Sequence, residues 1–166
     1  MTGLLQVVVA SVRAVLTMAG LLFGVAVLAG AAAGDLPVAL TAAGWGVLIG
    51  VSGLWAHEAA HLIMARRLAG AAAAEVVRSG STLAVRAPEL TPGQAVAVAV
   101  AGPVVGAAAS LGWTPVAPLW IAGGFALVHA ANLVPVAGTD GALAWRACCR
   151  LLDRRWTAKR GVTGGQ

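Results

Sequence analysis

The chain predicts an all-α polytopic membrane protein with about four transmembrane helices, and three observations carry that expectation. Hydrophobic residues fill 60% of its 166 positions and charged residues only 10%, where an ordinary soluble domain carries roughly 25% charged. Mean hydropathy is +0.89. Four apolar segments approach or exceed the roughly 20 residues that a helix needs to cross a hydrocarbon core. The length leaves no room for an appended soluble domain, so residues 1–141 are expected to form one helical core.

The first span is expected at about 14–33. Arg13 ahead of an apolar run ending in Ala-Gly-Ala-Ala-Ala-Gly also fits a secretory signal. That run is long for a signal, and without it the bundle would keep only three spans. The second span is expected at about 38–65, the third at 95–113 and the fourth at 116–134. Alanine and glycine are abundant in all four, which lets helices approach closely in lipid.

Between the second and third spans, Glu75 to Arg86 reads Glu-Val-Val-Arg-Ser-Gly-Ser-Thr-Leu-Ala-Val-Arg. Two short β-prone runs around a Ser-Gly-Ser turn predict a short β-hairpin-like loop. It is either a solvated loop or a strand edge that pairs with an extended peptide. Residues 142–160 are expected as a basic amphipathic helix in the membrane interface. Trp145, Cys148, Cys149, Leu152 and Trp156 share one face of it, while Arg146, Arg150, Asp153 and Arg154 fall elsewhere. The adjacent cysteines lack the spacing of a zinc-thiolate site and are read as small apolar residues. Residues 161–166 are expected to be a disordered tail.

Cations set the orientation. All eleven fall at Arg13, between Arg66 and Arg86, or from Arg146 onward, and none lies near Asp35 or between Trp113 and Pro118. With both termini in the cytoplasm they all lie on one side, as the positive-inside rule requires. A multi-pass protein of a bacterial cytoplasmic membrane is expected. The net charge of +5 does not point to nucleic acid, because the cations flank apolar segments instead of forming a face with aromatics.

Residues 57–61 read His-Glu-Ala-Ala-His inside the second apolar segment. Four apart, His57 and His61 stack on one helical face, where two imidazoles can hold one zinc ion. Glu58 beside them can take a proton from a zinc-bound water. Ionisable residues inside a bilayer are costly, so such a cluster calls for a function. A catalytic zinc usually has three protein ligands and an open position. Asp140 is the candidate third, because Pro135 and Gly138 would break the fourth span near the depth of the histidines. Capping the following helix is its simpler role. His129 could also reach the site, although packing or hydrogen bonding is the ordinary use of such a residue.

His-Glu-x-x-His on one span, followed by Asn132-x-x-Pro135-x-x-x-x-Asp140-Gly141 on a later one, resembles the site-2 protease family of zinc intramembrane metalloproteases. Ala101-Gly102-Pro103 in the third segment is similar to that family's small-residue motif. The likeness covers about residues 45–141. It implies that His57, His61 and Asp140 bind one zinc ion per chain and that Glu58 is the catalytic carboxylate. It also implies that Asn132 helps hold substrate or the developing oxyanion, and that the partner is a single-span membrane protein. Gly138-Thr139 departs from the family, where many members carry bulkier apolar residues before the aspartate. No PDZ-like or nucleotide-sensing domain fits in this length. Two other readings use the same residues: a small transporter or metal-handling protein with a His/Asp transit site, and a catalytically silent membrane scaffold.

Overall fold

Proline-led starts and glycine-led stops divide the apolar sequence into helices. The computed structural model describes residues 3–70, 74–79, 82–86 and 90–163. In chain order the elements are α1 (Gly3–Ala33), α2 (Leu36–Ala69), β1 (Glu75–Ser79), β2 (Thr82–Arg86), α3 (Pro92–Leu111), α4 (Leu119–Ala131) and α5 (Asp140–Thr163).

Gly34, at φ +72°, turns the chain at the end of α1 in a conformation that glycine adopts without penalty. Asp35 then caps α2 by accepting the Val38 N–H at 3.3 Å. So short a link lays the two helices antiparallel. α3 opens on a capping box: the Gln94 side chain accepts the Thr91 N–H at 2.8 Å, and Thr91 Oγ accepts the Gln94 N–H at 3.4 Å. Pro92 follows in the first turn, where its missing N–H costs nothing.

Packing follows a stripe of small residues. On α2, Ala43, Gly46, Gly50, Gly53, His57, His61 and Ala65 are all buried at intervals of three or four, the spacing of one helical face. α3 presents Ala99, Gly102, Gly106 and Ser110 in the same way. α2 meets α3 over the most extensive interface in the bundle and also packs on α1 and α4. Two indole–serine bonds tie α2 to the chain on either side of it. Trp55 Nε1 donates to Ser11 Oγ on α1, and Trp113 Nε1 donates to Ser52 Oγ on α2, each at 2.8 Å. Outward, Leu28, Trp120 and Leu127 remain 74%, 72% and 71% exposed, a surface suited to lipid and not to water.

Among the described residues, three helical stretches are long and apolar enough to cross a membrane: Ser11–Ala33, α2 and α3. The fourth apolar segment departs from expectation. Instead of a span over 116–134 it forms α4, only 13 residues long, or about 20 Å at 1.5 Å per residue. Turns through Trp113–Pro118 consume its front, and at its back the chain leaves the helix at Asn132 ahead of Pro135.

β1 and β2 pair antiparallel, with Glu75 opposite Arg86 and Val76 opposite Val85. The turn residues Gly80 and Ser81 lie outside the described residues. The strands dock beside the end of α2, where Val85 packs against a buried cluster of Val7, Leu62, Ala65 and Ala74. That cluster also explains why α1 begins eleven residues ahead of the expected span: Val7 is fully buried in it. α5 starts at Asp140 and runs to Thr163, three residues into the expected tail. A lone glycine such as Gly161 costs about 1 kcal/mol in a helix and does not end one. Residues 164–166 lie outside the described part.

Candidate metal centre

Three side chains from two helices converge where α2 meets the start of α5. His57 Nε2 lies 3.0 Å from Asp140 Oδ2, and His61 Nε2 lies 3.1 Å from His57 Nε2 and 3.3 Å from Asp140 Oδ2. Ligand atoms about 2.05 Å from a tetrahedral zinc would stand about 3.3 Å apart, so this triangle has the dimensions of one face of such a site. His57, His61 and Asp140 could hold a metal ion. Both histidines are buried.

Each candidate ligand is seated by its neighbours. His61 Nδ1–H donates to the Val98 carbonyl of α3 at 2.7 Å. Pro103 inside α3 cannot supply the N–H that would hold the Ala99 carbonyl, which loosens the turn beside Val98. Gly102 gives the ring its room, because a Cβ there would run into the His61 imidazole. Gly102→Ala is therefore expected to cost about 1–3 kcal/mol of stability by overpacking and to weaken metal retention. Thermal unfolding and metal content of the purified protein check this. Gly123→Ala, where a Cβ meets nothing within 4 Å, is the control: it should keep the metal and lose no stability, gaining at most about 1 kcal/mol from the better helix former.

Asp140 is delivered by a folded clip. The chain leaves α4 at Asn132, and the Gly141 N–H returns to the Asn132 carbonyl at 2.7 Å. Thr139 Oγ donates to the carbonyls of Val134 and Val136 at 2.6 and 2.7 Å, and accepts the Ala142 N–H at 3.3 Å. Gly138 takes φ +90°. The Gly138-Thr139 pair that departs from the family pattern thus forms the turn and cap that start α5. Gly141 is required as well, since a Cβ there would strike the backbone of Leu133 and Val134. Burial raises the Asp140 pKa, but hydrogen bonds to His57 and His61 outweigh it and hold the carboxyl well below the usual carboxylate range. An acid in the first turn of α5 also suits the positive end of that helix.

The cluster opens on a cleft of about 650 Å³. Glu58 lines it beside the histidines but stands outside the ligand triangle. Asn132 lines it too, and its side chain makes no hydrogen bond with a described residue. Leu54, Leu90, Val98 and Leu143 make the walls apolar, and Val85 of β2 borders it. The five residues picked from sequence, His57, Glu58, His61, Asn132 and Asp140, therefore share one cavity.

Other contributors to the cleft are not marked in the sequence. The Val98 carbonyl left no signal, since every residue has one. Arg146 and Arg150, expected off the apolar face of an interfacial helix, both line the cleft. His129, which the sequence marks as able to reach the site, is buried with Nδ1 3.1 Å from His57 Nδ1. Searches of protein-family models, curated proteins and solved structures each found no match to this chain.

Proposed function

We propose that this chain is a zinc-dependent intramembrane endopeptidase of the site-2 protease kind, hydrolysing a peptide bond in or beside a substrate's transmembrane helix. The observation that carries the reading is the convergence of His57, His61 and Asp140 within 3.3 Å of one another, with a non-ligating carboxylate, Glu58, in the same cleft. Two nitrogens and one carboxylate oxygen are a donor set that suits zinc. Zinc bound there would polarise the scissile carbonyl and bring the pKa of water toward about 7.

Glu58 Oε accepts the proton of the attacking water as the new C–O bond forms, then returns it to the amine as the C–N bond breaks. The Asn132 amide is free to donate to the carbonyl oxygen as charge develops on it. The apolar walls hold lipid-soluble side chains, and the edge of β2 at Val85 offers backbone partners to a locally unwound substrate strand. α4, extended by the turns before it and the clip after it, completes a fourth crossing, with local thinning of the bilayer around its short helix. Both termini and the cleft face the cytoplasm. Ala14, next to Arg13, lines the cleft together with Arg146 and Arg150, which supports an orientation that follows the positive-inside rule. The substrate is a single-span membrane protein, and the setting a bacterial cytoplasmic membrane.

Reconstituted protein with a single-span reporter tests the reading. Cleavage should stop on zinc chelation and return on adding zinc back. Cleavage that survives complete removal of metal overturns the zinc mechanism. Zinc flux across the vesicles without proteolysis would replace a protease by a transporter.

A further inference from the structure

Within the metal reading, the two histidine ligands differ in what holds their outer nitrogens. His61 Nδ1 is fixed by a backbone carbonyl, that of Val98. His57 Nδ1 instead faces another imidazole, His129 Nδ1 on α4, at 3.1 Å, the two rings tilted by 33°. No other described residue bonds that nitrogen.

The seat of His129 is built from three helices. The ring is only 7% exposed and fills space left by glycine on both neighbours. A Cβ on Gly106 of α3 would come within 2.7 Å of His129 Nδ1, and one on Gly53 of α2 within 2.7 Å of His129 Nε2. An ordinary packing residue would not need an imidazole there, nor its Nδ1 turned toward His57.

Proton counting assigns the roles. Two imidazole nitrogens at hydrogen-bond distance share one proton. His57 Nε2 points at His61 Nε2 and Asp140 Oδ2, so it is the nitrogen that must keep its lone pair for the metal. A neutral His57 then carries its proton on Nδ1, and His129 Nδ1 accepts it while its own proton sits on Nε2. We propose that His129 is a positioning residue that selects the metal-binding tautomer of His57 and fixes the plane of its ring. Such outer partners orient first ligands and raise their basicity, and removing one typically costs about 10–100-fold in metal affinity. The proposal rests on the metal reading above.

Zinc affinity of the full chain in detergent, measured by chelator competition, is the test. His129→Leu keeps bulk but removes the acceptor, and should weaken zinc binding about 10–100-fold. His129→Asn places its carboxamide oxygen near the position of Nδ1 and should stay near wild type. Equal losses in both variants would reduce His129 to packing and overturn the proposal, as would wild-type affinity in the leucine variant. A wild-type chain that binds no zinc overturns the metal reading itself, and this one with it. If the leucine variant fails to fold, nitrogen-labelled histidine spectra of the zinc-loaded wild type decide, since the chain has only three histidines. A proton on His57 Nδ1 bonded to a His129 nitrogen supports the assignment; zinc on His57 Nδ1 overturns it.

Discussion

Replacing Glu58 by glutamine should lower cleavage by about 10²–10⁴-fold, the usual worth of a positioned general base, while leaving zinc content unchanged. Glutamine matches glutamate in size and cannot accept the proton. The separation of effects is expected because Glu58 lines the cleft but lies outside the group formed by His57, His61 and Asp140. The measurement is the rate of reporter cleavage at equal metal loading. A rate equal to wild type would rule out Glu58 as the base. A loss of zinc in parallel with activity would make it a ligand. If the proposed function holds, cells carrying this variant should also accumulate uncleaved membrane proteins, and comparing them with wild-type cells would identify the substrates.

Asp140→Asn should act on the metal first. It removes the only anionic member of the triangle, and a lost direct ligand should cost more than the roughly 10–100-fold typical of an outer partner. Zinc per chain should therefore fall steeply under chelator competition, with cleavage falling in step. The metal-free protein should suffer as well, because the contacts to His57 at 3.0 Å and His61 at 3.3 Å are weakened. Breaking a buried polar contact costs on the order of 1–3 kcal/mol. Unfolding must accordingly be compared with and without metal. Unchanged zinc content would remove Asp140 from the ligand set.

The site was largely legible in the sequence because each of its parts follows a local rule. The four-residue interval of His57 and His61 fixes them on one face of any helix. Pro135 and Gly138 mark a break whatever surrounds them, and Asp140 lies just beyond it. What stayed hidden depended on how helices face one another. With 22 glycines in the chain, nothing local marks Gly53, Gly102 and Gly106 as the three that seat imidazoles. The same limit hid the pairing of His129 with His57, residues 72 positions apart. The length of the fourth apolar helix was hidden for a different reason: hydropathy does not mark where a helix starts and stops, and α4 keeps only Leu119–Ala131 of the expected 116–134.

The order in which the site's parts occur along the chain bears on its synthesis. Asp140 follows His57 by 83 positions. At translation rates of 5–20 residues per second, the histidine helix waits roughly 4–17 s for its last ligand to be made. On the proposed reading, the nascent protein carries through that interval an incomplete ligand set and Glu58 with no activated water to act upon. A peptidase embedded among other newly inserting helices would thus stay inert until the start of α5 has emerged and folded back. Truncated products ending before residue 140 should be harmless to the membrane that holds them.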